Sequence, residues 1–305
     1  MSEHSSVPTR RELIANGARD LSSVGVENAR LEAERLVAHA LGVSRHLLAL
    51  TGEEPLAPAQ AQAVEDLLLR RISGEPLQHI EGTVQFRDLV LLSDRRALIP
   101  RPETEQLVEQ VIRWAHGRKA ELAATAEHGS HRPLDAVLDI GTGSGAIALA
   151  LVSEGTTARA VGLDISATAL DQARENRSGA GIVEAVDLRL CGASPYEALL
   201  PDESFDAIIS NPPYVRSTDL QGLATEVRDH DPHVALAGGA DGLEVVREVV
   251  RGARDRLLVG GALFLEIGAE QGDAVRDILG SAGPWMVVEI RRDLAGRDRF
   301  AVATV

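Results

Sequence analysis

The chain predicts an α/β fold: a mostly parallel, doubly wound sheet preceded by a small helical domain and a hairpin-like linker. Three observations carry this expectation. From Leu134 onward, short apolar runs alternate with helix-like segments, the pattern of a parallel sheet covered by helices on both faces. Within that region, Ala136-Val137-Leu138-Asp139-Ile140 feeds into Gly141-Thr142-Gly143-Ser144-Gly145 and then into the helix-like residues 146–152. Strand, glycine turn and helix in that order open a nucleotide-binding α/β unit. Before Leu134 the apolar spacing is helical to about residue 73 and then changes to short β-like runs.

Taken in order, residues 11–24 carry Leu13, Ile14 and Leu21 at helical spacing. Residues 27–41 do the same with Leu31, Leu36, Val37, Ala40 and Leu41, and Gly42 is a helix stop. Residues 51–58 read as a loop and 59–72 as another helix, ended by Ser73-Gly74. No catalytic cluster falls here, so residues 1–75 read as a helical domain that contacts a partner, or as a structural cap. Residues 76–100 read as a β-hairpin linker, with β-like runs at 77–80, 83–86 and 89–92. Ile99-Pro100-Arg101-Pro102-Glu103-Thr104-Glu105 follows and opens a helix over 103–114, with Thr104 and the acidic residues suited to its first turn. Residues 117–132 are polar and read as a surface loop. Residues 101–305 then form one α/β domain, with strands expected at 137–140, 160–163, 186–191, 205–210, 262–267, 286–290 and 300–305. The last two pair as a hairpin around 291–299, which gives the sheet an antiparallel edge.

Composition narrows the function. The single cysteine, Cys191, permits no internal disulfide and no zinc-finger spacing, and points to a reducing cytoplasm. Residues 1–11 are polar and no apolar run has the length of a membrane span. A net charge of −15 argues against nonspecific nucleic-acid binding and is compatible with a basic protein partner. His116, His128 and His131 are close in sequence, but no cysteine or carboxylate pattern supports a metal site, and none is expected.

The glycine turn reads Gly-x-Gly-x-Gly, not the Gly-x-Gly-x-x-Gly of dinucleotide binders, and it lacks the Lys-Ser/Thr of a phosphate-gripping loop. Asp139 just before it repels a pyrophosphate but suits an amino-acid ammonium, held directly or through the loop. The run 160–163 ends in Asp164, about 20 residues on, where a carboxylate can hold two ribose hydroxyls. The bland reading of Asp164 is a cap for a helix beginning near Ala167. A nucleoside bearing an amino acid, such as S-adenosylmethionine (SAM), fits all three features. Asp139, Gly141, Thr142, Gly143, Ser144, Gly145 and Asp164 are therefore the candidate cofactor residues, together with Asn211.

Asn211-Pro212-Pro213-Tyr214 follows the apolar run 205–210. As a bare tetrapeptide it is a turn. After a buried strand, and downstream of the glycine turn, it carries more. Its two prolines fix φ and have no N–H, so the loop is stiff and offers acceptors. That suits a planar –NH2 group. The Asn211 side-chain oxygen and the Pro212 carbonyl each accept one of its hydrogens, Tyr214 packs on its face, and the nitrogen is aimed at an electrophile. Asn211, Pro212 and Tyr214 are the candidate catalytic residues, and Pro213 joins them as substrate-binding. Glu266 ends an apolar strand, and the sequence assigns it no role.

These residues resemble the HemK/PrmC family, the protein-(glutamine-N5) methyltransferases of translation release factors. The resemblance spans nearly the whole chain. It rests on the helical N-terminal region, residues 76–82, Ile99 to Glu105, the Asp139 to Gly145 turn, Asn211 to Tyr214, and Asp293-Leu294-Ala295-Gly296-Arg297-Asp298. It implies a cytoplasmic SAM-dependent methyltransferase with a seven-stranded Rossmann-like sheet, acting as a monomer on class I peptide chain release factors. The methyl acceptor is then the glutamine of their Gly-Gly-Gln loop, with no direct nucleic-acid or membrane contact. Gly141 to Gly145 and Asp164 would bind SAM, and Asn211 to Tyr214 would grip the glutamine amide. The chain departs from the family at Gly192-Ala193-Ser194, where an acidic residue is usual, and at Asp231-Pro232 in place of Glu-Pro. Rival readings are an amino-group methyltransferase acting on a nucleobase or a small-molecule amide, and a SAM-binding regulatory protein without catalysis.

Overall fold

The structure is a computed structural model that describes residues 7–123 and 134–305. Its contacts divide the chain into two compact units, one ending at Gly82 and the other starting at Thr83. In the first, α1 (Arg10–Ser23) starts at Thr9, whose hydroxyl accepts from the Glu12 N–H while the Glu12 carboxylate accepts from the Thr9 N–H. This reciprocal cap satisfies donors that a helix start leaves open. Leu13, Gly17 and Leu21 form its buried face, with Ile14 half-buried. α2 (Ala29–Leu41) stops at Gly42, which is left-handed at φ 63°. Its buried stripe contains Ala29, Ala33, Leu36, Val37 and Ala38, whereas Leu31, expected on the apolar face, is exposed.

α3 (Arg45–Leu50), capped by Ser44, was not foreseen, because six residues are too few to show a period. α4 (Pro58–Ile72) packs with α1 and α2 around Leu21, Leu36, Val37 and Val64. α5 (Leu77–Glu81) stands where a β-like run was expected. Pro76 sets its entry, left-handed Gly82 ends it, and a run this short, apolar only at Leu77 and Ile80, cannot distinguish one helical turn from a strand.

The second unit opens with the antiparallel hairpin β1 (Thr83–Phe86) and β2 (Leu89–Leu92). α6 (Pro102–Ala123) starts as expected but runs nine residues beyond Trp114. The expected loop 117–132 is therefore helical to Ala123, since a lone Gly117 does not stop a helix; its remainder lies outside the described residues, as do His128 and His131. His116 sits on α6 with Nδ1 2.9 Å from the Ile112 carbonyl.

Seven strands follow: β3 (Leu134–Ile140), β4 (Thr157–Asp164), β5 (Val186–Leu190), β6 (Phe205–Ser210), β7 (Leu257–Glu266), β8 (Val287–Arg292) and β9 (Asp298–Thr304). They lie in the order β5-β4-β3-β6-β7-β9-β8. The first five are parallel, and β8 and β9 form the antiparallel edge. Alternation along each strand divides the core. Val137, Ala207 and Ile209 pack with α6, α7 (Ala146–Ser153) and α8 (Ala167–Gly179). Leu138, Ile140 and Ile208 pack on the other face with α10 (Glu244–Arg256) and α11 (Gly272–Ser281). A short helix, α9 (Thr225–Arg228), lies in the crossover after β6. Because both faces are covered, the inner strands read as nearly continuous apolar runs.

This topology brings the chemistry together. Chain order reverses between β3 and β6, the point at which parallel α/β sheets open a crevice at their carboxyl ends. The register pairs Ile140 with Leu163 on one side and with Ser210 on the other, and pairs Ser210 with Leu265. The next residues of those four strands are Asp164, Gly141, Asn211 and Glu266, side by side on one rim.

Candidate active site

The glycine turn is built by its own backbone. The N–H groups of Gly141 and Thr142 both donate to the Leu163 carbonyl, at 2.8 and 2.9 Å, which folds the chain back over the end of β4. Gly141 and Gly143 have φ of 73° and 54°, a left-handed conformation that other residues rarely take. Nothing lies within 4 Å of the place a Cβ would occupy on Gly141, so the backbone there is open to close approach by a ligand.

Asp164 stands across the crevice. Its Oδ2 accepts from the Gly143 N–H and its Oδ1 from the Ser166 N–H, both at 2.8 Å. Ser166, not Asp164, caps α8, by accepting from the Ala169 N–H. Each Asp164 oxygen retains acceptor capacity after these bonds. Burial pushes its carboxyl above the usual carboxylate range, partly offset by the N–H donors.

Gly141, Gly143, Asp164 and Asn211 line one cavity, whose remaining wall includes Ile165, Cys191, Gly192, Ala193 and Val249. The turn at Gly192-Ala193 is thus in place but apolar. Cys191 is held as a thiol, its pKa pushed up to about 11 by burial and by Asp164. The open glycine backbone, a two-oxygen acceptor and an apolar wall fit the amino-acid, ribose and base parts of SAM.

Thr142, Ser144 and Gly145 belong to the same turn but do not line this cavity. Asp139 lies beneath it, fully buried, with Oδ2 accepting from Thr142 Oγ1 at 2.6 Å and from the Ala148 N–H at 3.2 Å. Its Oδ1 has no partner, and burial raises its pKa to about 7. Any influence of Asp139 on a ligand in this cavity therefore passes through the loop.

Asn211 stands between two cavities. The second is lined by Arg101, Glu103, Asn211, Pro212, Tyr214, Glu266, Arg297 and Arg299, and shares Leu98, Asn211, Pro213 and Ala235 with the first. Ser210 anchors the loop by donating to the Ile140 carbonyl at 2.7 Å. Asn211 Nδ2 donates to Thr104 Oγ1 at 3.1 Å, and Thr104 Oγ1 donates to Glu266 Oε2 at 2.8 Å. Burial raises the phenol pKa of Tyr214 and keeps its hydroxyl protonated.

Several residues of this site escape sequence reasoning. Thr104, expected only to suit a helix first turn, is buried and bonded to Asn211 and Glu266. Asp231 is buried, with Oδ2 2.5 Å from the Arg101 guanidinium. The stretch from Asp293 to Arg299 is exposed at residues 294–297 but buried at its two ends, and contributes Arg297 and Arg299 to the second cavity. Gly238 backs the proline loop: a Cβ there would stand 2.7 Å from the Pro213 carbonyl oxygen. Gln271 Nε2 donates to the carbonyls of Tyr214 and Gly242, both at 3.1 Å. The density of Gly238, Gly239 and Gly242 in one stretch was the available signal.

Burial raises the Glu266 carboxyl from 4.5 to about 7, against the Thr104 hydroxyl, Arg299 and Arg101, with Glu103 raising it further. A carboxyl raised in this way stabilises the fold below its unfolded value and loses that contribution as pH climbs towards its folded value. Glu266→Gln removes the titration. The melting temperature of the variant minus that of wild type is expected to grow by roughly 5 °C between pH 5 and pH 8. Calorimetry checks this, and a gap independent of pH would contradict the assignment.

Residues 12–82 match the family of the PrmC N-terminal domain, and residues 137–230 match a methyltransferase domain family. The release factor glutamine methyltransferase of Cereibacter sphaeroides is 39% identical over 283 residues, 93% of this chain and 94% of that protein. The enzyme of the same name from Moorella thermoacetica is 38% identical over 295 residues, covering 97% and 98%. Among solved structures, the catalytic domain of hMettl16 covers 76% of this chain and 82% of its own at TM-score 0.56 and 14% identity, a likeness of fold alone. Identity of this level over almost the full length of both proteins, on a sheet whose rim carries the glycine turn and Asn211 side by side, establishes that the chain belongs to the release factor glutamine methyltransferase family.

Proposed function

We propose that this protein transfers a methyl group from SAM to the side-chain amide nitrogen of a glutamine, that of the Gly-Gly-Gln loop in class I peptide chain release factors. The observation that carries the reading is the position of Asn211 in the partition between the two cavities. A group held by its carboxamide oxygen from the second cavity faces the first.

The first cavity is assigned to SAM, with Gly141 and Gly143 against its amino-acid part, Asp164 on two ribose hydroxyls, and Asp139, Thr142, Ser144 and Gly145 supporting the turn. When bound, SAM supplies a sulfonium methyl, an electrophile that needs no further activation. An amide nitrogen is a weak nucleophile, so the chain acts mainly by positioning. Asn211 Oδ1 and the Pro212 carbonyl accept the two amide hydrogens and stabilise positive charge as it develops on nitrogen. Pro213 stiffens the loop, and Tyr214 packs on the amide plane. As the new C–N bond formed, the methyl's bond to sulfur would break to leave neutral S-adenosylhomocysteine, and one N–H proton would pass by way of the Pro212 carbonyl to water. Fixing this geometry contributes up to about 7–11 kcal/mol.

The helical unit up to Gly82 is assigned to contact with the release factor, and the enzyme is taken as a cytoplasmic monomer. Among the described residues no helix is long and apolar enough to cross a membrane. A nucleobase substrate is not favoured, given the charge of −15 and relatives named throughout for release factor glutamine.

Labelled SAM with purified release factor tests the reading. Methyl incorporation mapped by mass spectrometry to the Gly-Gly-Gln glutamine is expected, and label on RNA or DNA but not on the release factor would reject it. In the same assay Gly238→Ala should lower kcat about 100-fold, because the new methyl displaces the Pro213 carbonyl and with it the loop. Its Kd for SAM should change far less. An unaltered kcat would show that Gly238 does not set the loop.

A further inference from the structure

We infer that Thr104 and Glu266 are positioning residues that fix which way the Asn211 carboxamide faces, and through it the enzyme's selection of an amide over a carboxylate. The inference rests on the proposed function for its substrate and on two distances and two burials for its geometry.

An asparagine side chain is close to symmetric in shape. Its oxygen and its –NH2 exchange places with little steric change, so packing alone does not choose between them. Polar partners must choose. Thr104 has one hydroxyl proton, and Glu266, ionised above a pKa of about 7, is placed to accept a hydrogen bond from it at 2.8 Å. Committed as a donor in that direction, the Thr104 oxygen faces Asn211 only as an acceptor. It then receives Nδ2 at 3.1 Å. Glu266 and Thr104 are 1% and 4% exposed, so water does not compete for these bonds. The relay turns the –NH2 of Asn211 away and leaves Oδ1 as the group presented to a ligand.

The three residues come from separate elements: the first turn of α6, the end of β6 and the end of β7. The register that pairs Ser210 with Leu265 sets Asn211 beside Glu266. An outward Oδ1 accepts from a glutamine –NH2 and repels a glutamate carboxylate. A flipped Asn211 presents –NH2 instead, which would donate to the carboxylate and clash in polarity with the amide. Selection of amide over acid is therefore decided by Glu266, which acts on Asn211 through the Thr104 hydroxyl.

The test uses the full-length protein and the variants Thr104→Val, Thr104→Ser and Glu266→Met. Thr104→Val keeps the shape and removes both bonds. Glu266→Met frees the Thr104 proton to point at Asn211, which invites the flip. Equilibrium binding of a Gly-Gly-Gln peptide and its Gly-Gly-Glu counterpart is measured with S-adenosylhomocysteine present. Wild type should prefer the amide peptide by at least roughly tenfold. Thr104→Val and Glu266→Met should both narrow that ratio and lower kcat with little change in SAM affinity, and Thr104→Ser should restore it. Their effects should not add in the double variant, since they break one chain of bonds.

A second measurement needs no substrate. In protein labelled with 15N at asparagine, the Asn211 side-chain amide hydrogens should be protected from exchange in wild type and Thr104→Ser, and unprotected in Thr104→Val and Glu266→Met. Unprotected hydrogens in wild type, or an unchanged peptide ratio in folded Thr104→Val, would overturn the relay. Failure of wild type to methylate or bind the amide peptide, with the protection pattern intact, would remove the proposed substrate and leave the relay standing.

Discussion

Asn211→Ala is expected to lower kcat by about 100- to 1,000-fold, the range seen when one preorganised group facing developing charge is removed. Its Kd for SAM should stay within about twofold, because the loss is of an acceptor for the substrate amide and not of the cofactor's main partners. The split between kcat and cofactor affinity is the informative part. The alanine methyl leaves Ser210 bonded to the Ile140 carbonyl, so the loop keeps its anchor and the sheet keeps its register. What disappears is the carboxamide, that is, the oxygen at the partition between the cavities and the Nδ2 bond to Thr104. Single-turnover methylation and calorimetric SAM titration check the two halves separately. A variant that methylates at the wild-type rate would sink the positioning mechanism, whatever its affinity for SAM.

Asp164→Ala is expected to weaken SAM binding by roughly 100- to 1,000-fold, equivalent to the loss of two hydrogen bonds to a charged group at about 1.5–3 kcal/mol each, less what water recovers. Two effects coincide here. The carboxylate is the proposed partner of two ribose hydroxyls, and it also holds the glycine turn through the Gly143 N–H at 2.8 Å. Asp164→Asn separates them. It keeps one carbonyl oxygen and the side chain's shape but removes the charge and one acceptor, and an intermediate loss of affinity is expected. Calorimetry at neutral pH measures both variants. An affinity equal to wild type in Asp164→Ala would exclude the ribose role.

These expectations draw on parts of the molecule that differed in legibility. The glycine turn could be read because it lies within one continuous strand–turn–helix segment, where neighbours in sequence are neighbours in space. Asp164 could be placed for a similar reason, since one βα unit separates it from the turn. The same local logic failed at Leu77–Glu81, where a short run with apolar Leu77 and Ile80 was consistent with a strand and forms a helix. It failed again after Trp114, where polar residues continue α6 to Ala123. Polarity there reports only exposure, and an exposed helix face is as polar as a loop.

The sequence by itself determined the α/β class, the alternation of buried strands with covering helices, the glycine turn, and the stiff acceptor loop at Asn211. Each follows from continuous stretches of the chain, where steric and periodic rules act directly on neighbouring residues. Tertiary structure alone decided that Thr104, Asn211 and Glu266 form one hydrogen-bonded chain and that Gly238 backs Pro213. The first depends on strand order and register across the sheet, the second on the crossover after β6 folding back on itself. They join residues up to 162 positions apart, and no local rule links residues at such a separation until the strands have paired.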